Sequence, residues 1–326
     1  MTPLLSVVVP MYDVEPYLGA CLASLTEQDL TDLEVVVVDD GSTDGSRGIA
    51  DQWAGKDSRI RLLTQANAGL SAARNAGVRA ARGRYLAFCD SDDVVPKTAY
   101  AALVGSLEAT GSDIVSGDVR RVDSSGVRPH PGYQDVFAQG RRRTHILRHT
   151  ALVRDRMVWN KVFRRSFWDA NGLTFVLPAY EDAPVMIRAH IAASAVDVLP
   201  EVVYLWRIRE RGVPSITQRR NEPENVAACM RMVLDTFDVI TAHAEALVPP
   251  YVDDMCRGDI RDALRKLRLH DADALSHALS RAHAFVTRIP AGLLDRLDAP
   301  DRRLITHVIR QEWDDIRQLV EDPVPL

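Results

Sequence analysis

The chain has 326 residues, 46% hydrophobic and 26% charged, with 40 lysines and arginines against 45 aspartates and glutamates and a net charge of −5. That length exceeds one small domain and that composition is globular, so global disorder, a collagen-like repeat and a disulfide scaffold are excluded. A chain-wide basic field for nucleic acid is absent, and no apolar run approaches the roughly 20 residues of a membrane span. The first ten residues lack the basic-then-apolar order of a signal peptide. Cys21, Cys89, Cys229 and Cys256 form no CxxC pair. A reduced, cytoplasmic chain without structural zinc is expected.

Residues 5–9 read as a strand buried on both faces of a parallel sheet, stopped by Pro10. Pro16 opens a helix with Leu18, Cys21, Leu22 and Leu25 on one face. Residues 33–38 form a second buried strand ending in Asp39 and Asp40. The loop 41–45 carries helix-capping chemistry ahead of a helix with Ile49, Ala50 and Trp53. A third strand covers 60–63, and an Ala-rich helix over 70–81 closes at Gly83. A fourth strand, 85–89, runs into Asp90-Ser91-Asp92-Asp93; Pro96 then starts a helix before a fifth strand at 113–116. This alternation predicts an α/β fold with an open, mostly parallel sheet. Ligands of such sheets sit at the carboxyl ends of the strands, which here offer Tyr12, Asp13, Asp39, Asp40, Asn67, Asp90 and Asp92. Carboxylates crowded at one edge are costly unless a metal or a donor-rich ligand meets them.

The middle is less regular. Residues 117–140 are polar and rich in glycine and proline, which predicts a hairpin or loops, and 141–153 is expected to form a basic helix. Nine basic residues against one acid occupy 141–165, whereas 19 acids and 13 bases follow from Asn221. A charge run is commonly a solvated face. Charge this uneven in an acidic chain fits an anionic partner, either a polyol-phosphate chain or an acidic membrane surface. Trp159, Trp168 and Trp206 are core residues or sugar-stacking walls, and His145, His149 and His190 lack metal-ligand spacing. Residues 181–190 read as a helix and 202–206 as a strand, followed by a polar loop over 207–218. The rest is helical, with Val226, Met230, Val233, Phe237 and Ile240 on one face, Ile260, Leu264 and Leu267 on another, and Ile305, Ile309, Trp313, Ile316 and Val320 on a third.

Glycine-rich phosphate loops are missing. Pro10-Met11-Tyr12 follows the first strand where a dinucleotide-binding unit has a glycine turn, and no GxxxxGK[ST] run exists. Asp90 and Asp92, just past a buried strand, can instead present oxygens to one hard divalent cation, Mn²⁺ or Mg²⁺, that bridges a diphosphate. In isolation such a pair is equally a capped turn. Tyr12 offers a stacking face to the same crevice and Asp40 an acceptor for a base N–H, beside its plainer part in the turn into Gly41. Arg74, on the Ala-rich helix, can point into that pocket.

SVVVPMYDVEPYL, VVVVDDGSTDGS, NAGLSAARNAG and GRYLAFCDSDD occur in the order and approximate spacing of the nucleotide-sugar domain of glycosyltransferase family 2, the GT-A fold, which the first third of the chain resembles. MVWNKVFRRSFW, YEDAPV and YLWRIRERGVPSIT look like the members acting on wall teichoic acid and related polyol-phosphate or capsule polymers, so the resemblance reaches Thr217; the tail matches loosely. The resemblance implies roles position by position. Pro10, Tyr12, Asp40, Asn67, Arg74 and Asp90 match positions that hold the nucleoside of a UDP-sugar. Asp92, with Asp90, matches the metal-binding DxD. Glu181 and Asp182 match the catalytic ED motif, whose Asp is the general base. Arg207, Arg209 and Ser215 lie in a segment that closes over the diphosphate or acceptor in similar enzymes. Family members invert: an acceptor hydroxyl attacks the anomeric carbon opposite the nucleotide, and a carboxylate takes its proton. Mn²⁺ or Mg²⁺ and arginines stabilise the leaving UDP. Without the resemblance, Asp182 reads as a helix N-terminal acid favoured by the dipole.

The expected architecture is thus a GT-A domain over 1–219, with a nucleotide-binding half at 1–116 and an acceptor-binding half at 117–219, followed by an all-helical extension or linker at 220–326. The expected function is metal-dependent, inverting transfer of a hexosyl or N-acetylhexosaminyl group from a UDP-sugar to a cell-surface glycan or polyol-phosphate polymer. The expected place is the cytoplasm, with a peripheral contact at the inner membrane face. Two other readings compete. A nucleotidyltransferase shares the metal and the sheet but needs a glycine-rich loop after the first strand. A non-catalytic glycan-binding or scaffolding module has no need of Asp90, Asp92 and Asp182 together. The tail reads as an oligomerisation element or the junction to a further domain, and no nucleic-acid partner is expected.

Overall fold

The computed structural model describes residues 2–130 and 132–321. The chain divides into two compact units, Met1–Pro214 and Ser215–Leu326. The first is built on a nine-stranded sheet. Strands β1 (Leu5–Met11), β2 (Leu33–Asp39), β3 (Ile60–Thr64) and β4 (Tyr85–Phe88) are parallel in the order β3-β2-β1-β4. Register runs from Leu5 on Leu33 to Met11 on Asp39. Every residue of β1, β2 and β4 is buried, as their unbroken apolar character requires. Pro10 does not stop β1. It lies past Val8, where the β4 pairing ends, so its missing N–H removes no ladder bond.

The other half of the sheet is mixed. β5 (Ile114–Asp123) turns into β6 (Gly126–Pro129), β7 is Arg141–Thr144, β8 is Lys161–Arg164 and β9 is Val196–Arg207. β8 runs antiparallel between β4 and β5, β9 runs parallel to β5, and β7 is an edge strand antiparallel to β9. The fifth strand is thus longer than the expected 113–116, and the expected 202–206 strand begins at Val196. The basic helix expected over 141–153 does not form. Its arginines make the exposed edge strand β7, and a short 3₁₀ turn follows at Thr150–Arg154. Charged side chains suit an edge, where they block further strand pairing. The carboxyl ends of β1 to β5 and of β9 all open on one edge.

Between the strands lie α1 (Glu15–Thr26), α2 (Ser46–Lys56), α3 (Leu70–Ala80), α4 (Ala99–Thr110), α5 (Gln134–Phe137), α6 (Arg165–Ala170) and α7 (Asp182–Ala192). Helix α3 packs on β1 and β2 through Gly77, where a Cβ would collide with Val8 and press on Val38. Its first turns, with Ser71, Arg74 and Asn75, therefore lie at the ligand edge of the sheet.

The second unit is helical: α8 (Pro223–His243), α9 (Val248–Met255), α10 (Arg261–Arg265), α11 (Ser276–Val286), α12 (Ala291–Leu294), α13 (Ala299–Arg310) and α14 (Trp313–Leu319). A π-helical turn, Cys256–Ile260, joins α9 to α10. Val226, Met230, Val233, Phe237 and Ile240 are buried as expected, and Phe237 packs on Phe285 and Tyr251. The third expected face is broken. Gln311 takes a left-handed conformation (φ 58°) that ends α13, so Ile309 is exposed while Ile305 and Ile316 are buried. Among the described residues no helix is long and apolar enough to cross a membrane.

Candidate active site

The ends of β1 and β2 hold each other. Asp13, with φ 47°, accepts from the Thr43 N–H at 2.7 Å and the Asp44 N–H at 3.3 Å. Asp40 is buried and accepts from Gln65 Nε2 (2.7 Å) and from the N–H groups of Ala68 (3.0 Å) and Gly69 (2.8 Å). Its first task is to shape the loop that presents Asn67. Asn67 and Tyr12 are exposed at the strand ends, whereas Pro10 is buried inside β1 and offers no open surface.

The turn after β4 is tied to the end of β9. The Asp90 N–H donates to the Tyr204 hydroxyl at 3.0 Å, and that hydroxyl donates to the buried Asp93 carboxylate at 2.7 Å. Arg207 donates its N–H to Asp93 and its Nε to the Asp92 carbonyl, both at 2.7 Å. Arg209 Nε donates to Asp92 Oδ2 at 2.6 Å. The strap 207–213 is anchored on α1, because the Tyr17 hydroxyl accepts from the N–H groups of Glu210 (2.9 Å) and Arg211 (2.7 Å). The Arg207 and Arg209 guanidinium groups lie 5.6 and 6.0 Å from the Tyr17 ring.

The third contribution comes from the loop before α7. Arg74, 2% exposed, donates to Asp90 Oδ1 at 2.6 Å and to Glu181 Oε1, and stacks 5.4 Å from the Phe175 ring. Arg74, expected to point into the nucleotide pocket, lies buried between the two acidic motifs. Burial opposes its charge, but Asp90, Glu181 and Asp182 outweigh that and hold it protonated. Burial raises Glu181 to about 7 against the pull of Arg74, with Asp182 adding to the rise. Asp182 is half-buried at the start of α7 and accepts no side-chain hydrogen bond among the described residues. Its pKa is raised by burial, against Arg74, with Asp90 adding and Lys161 opposing. Burial also raises Asp92 against Arg209, and raises Asp93 well above the usual carboxylate range. Lys161 is fully buried and held by Asp155 (2.6 Å), the Met157 carbonyl (2.6 Å) and Asn160 (2.8 Å).

The cluster brings together Arg74, Asp90, Asp92, Glu181, Asp182, Arg207 and Arg209. Ser215 instead opens the second unit, where its Oγ accepts from the Gln218 N–H. The residues that sequence reasoning missed are Tyr17, Asp93, Lys161 and Tyr204. Asp93 was visible as the third acid of its run; the two tyrosines join positions nearly two hundred or more than a hundred residues away and left no local signal. Five carboxylates, the buried Asp92, Asp93 and Glu181 and the half-buried Asp90 and Asp182, face three guanidinium groups, and that surplus suits a divalent cation. Arg74 takes one oxygen of Asp90 and Arg209 one of Asp92, and a carboxylate so engaged can still ligate through its other oxygen.

Residues 6–170 match the model of glycosyl transferase family 2. The chain belongs to this family. It is 37% identical over 213 residues to the uncharacterized glycosyltransferase EpsJ of Bacillus subtilis, covering 64% of this chain and 62% of EpsJ. Over 260 residues it is 25% identical to TarS of Staphylococcus aureus, a poly(ribitol-phosphate) β-N-acetylglucosaminyltransferase, covering 76% of this chain and 43% of that protein. The chain thus spans less than two thirds of the length of these curated relatives. The structure of S. aureus TarS 1-349 in complex with UDP-GlcNAc superposes with a TM-score of 0.77 at 20% identity, over 97% of this chain and 90% of that one. A mannosyltransferase from Pyrobaculum calidifontis in complex with GDP-Man and Mn²⁺ gives 0.56 at 19% identity, over 98% and 88%. The family 2 chain therefore has the GT-A fold that its motifs implied.

The arginines of β7, at the start of the basic stretch, lie elsewhere. Arg141 pairs with Val198 near the start of β9, whereas Arg207 ends that strand. Val198 lies opposite Ser116 of β5 and Arg207 opposite Val122, six residues on, so at about 3.3 Å per residue β7 sits roughly 20 Å along the sheet from the strap that carries Arg207 and Arg209.

Proposed function

We propose that this chain transfers a hexosyl or N-acetylhexosaminyl group from a UDP-sugar to a hydroxyl group, with inversion at the anomeric carbon. One observation supports the reading above others: the carboxylate–guanidinium cluster of Asp90, Asp92, Glu181 and Asp182 around the buried Arg74 at the ligand edge of a family 2 domain. The UDP-GlcNAc complex of TarS favours UDP as the nucleotide and an N-acetylhexosamine as the sugar. EpsJ carries the word uncharacterized in its name, so it adds the reaction class and no substrate.

Tyr12, Asn67 and the loop shaped by Asp40 form the nucleoside side of the site. Asp90 and Asp92 would hold Mn²⁺ or Mg²⁺, which when bound neutralises the diphosphate and the charge it gains on leaving. Arg207 and Arg209, on a strap already anchored by Tyr17, lie beside Asp92 and add positive charge for the same diphosphate. Asp182 accepts the proton of the attacking hydroxyl; its oxygens are not spent on other side chains, unlike those of Glu181. Glu181 orients Arg74, which joins the nucleotide side to the base. The acceptor class is a cell-surface glycan or polyol-phosphate polymer, and the exposed Arg141 and Arg142 give the chain a peripheral contact with an anionic membrane surface.

Calorimetric titration of UDP, GDP, CDP and TDP, each with and without Mn²⁺, tests the reading. Binding of UDP in preference to the rest, strengthened by Mn²⁺, is expected. Preference for another base overturns the donor, and no binding of any nucleotide overturns the transferase.

A further inference from the structure

Residues 174–181 form neither helix nor strand, yet one face of α3 holds them. Ser71, Arg74 and Asn75 share that face by their spacing. The Ser71 hydroxyl donates to the Leu177 carbonyl. Asn75 Nδ2 donates to the Phe175 carbonyl at 2.8 Å, while Asn75 Oδ1 accepts from the Phe175 N–H at 3.0 Å and the Thr174 hydroxyl at 3.1 Å. Arg74 reaches Glu181 at the far end of the segment. The Asn75 amide thus binds both polar groups of one residue, as a neighbouring strand would, and fixes the direction of that peptide.

Inside the held segment Tyr180 has φ 54°. A bulky residue adopts this left-handed backbone where its surroundings over-determine it, and such strain gathers at functional turns. Glu181 follows, then Asp182 at the start of α7.

We infer that Asn75, with Ser71, is a positioning residue for the base: the α3 face holds the strained turn at Tyr180 and thereby aims Asp182. The inference rests on Asp182 being the base. It gives the run SAARNAG a second task beside the nucleotide, since Ser71 and Asn75 spend their polar atoms on the base segment. A misplacement of about 1 Å at a reacting group can cost about a hundredfold in rate, so loss of the clamp acts on turnover.

The test uses the full chain and compares Asn75→Ala, Tyr180→Gly, Asp182→Asn and the double variant Asn75→Ala with Asp182→Asn. Each is measured for UDP affinity with Mn²⁺, for kcat and KM of UDP release from UDP-N-acetylglucosamine, and for Tm. Asn75→Ala is expected to lower kcat about 10- to 100-fold while KM and UDP affinity stay at the wild-type values. Tyr180→Gly is expected to lower kcat while UDP affinity stays at the wild-type value, because it removes the strain and loosens the turn. The double variant is expected to be no slower than Asp182→Asn, since both changes act on one step. Unchanged kcat in both single variants overturns the inference and leaves the transferase reading standing. So does a parallel fall of kcat, UDP affinity and Tm, which marks a merely structural role. A wild-type chain that neither binds UDP nor releases it overturns both.

Discussion

The two halves of the first unit place their functional groups by different means. In β1 to β4 the acids follow buried strands, so Asp40 and Asp90 leave one edge because parallel strands in register end there. From β5 onward the strands are mixed, and the groups that matter are set by side-chain clamps, Tyr17 on the strap and Asn75 on the loop before α7, while Tyr204 of β9 ties down the turn after β4. A regular sheet edge offers a ready site for a nucleotide, whereas a clamped loop sets the aim of one carboxylate. Substitutions in the two halves should therefore separate into loss of binding and loss of turnover.

The largest effect is expected in the clamped half. Asp182→Asn should lower UDP release from UDP-N-acetylglucosamine about 10²- to 10⁴-fold, the usual worth of a general base; near-normal turnover would break the comparison at its strongest point. In the regular half, Asp92→Asn should weaken Mn²⁺-assisted UDP binding about 100-fold, a loss that even outer-shell changes can cause at metal sites, and titration with and without Mn²⁺ reads it directly. A smaller effect belongs to the opposite edge. Arg143 is tied to Asp197 and Thr110, so Arg141 and Arg142 are the ones to change. Replacing both by Ala should weaken sedimentation with phosphatidylserine vesicles about 30-fold, at about 1 kcal/mol per arginine, and leave UDP affinity alone. Equal vesicle binding would return β7 to the role of a charged edge.

The smallest effect is on stability. Glu181 has its folded pKa raised from 4.5 to about 7. Between those values the folded chain holds a proton that the unfolded chain has lost, so its stability falls as pH rises through the window. Thermal unfolding of the metal-free chain should show this fall, and Glu181→Gln should flatten it. An identical pH dependence in the variant would remove Glu181 as the source.

Much of the regular half was legible. Buried apolar runs ending in acids announce strands, and two acids two positions apart announce the DxD turn. Pro10 misled because its effect depends on which neighbour its nitrogen faces, a fact of the sheet and not of the run. The arginines at 141–143 misled because an edge strand is stabilised by β9, far along the chain, and not by its own periodicity. Arg74 was picked out, but its burial between Asp90 and Glu181 depends on a loop about a hundred residues later. In the helical unit, one left-handed residue, Gln311, broke a face that continuous periodicity had extended.

The account turns on the separation of nucleotide binding from base catalysis. The most direct measurement is the affinity for UDP with Mn²⁺ of Asp182→Asn and Asp92→Asn in one calorimetric series beside the wild type. The account predicts wild-type affinity in Asp182→Asn and a large loss in Asp92→Asn. Equal losses, or equal retention, would contradict it.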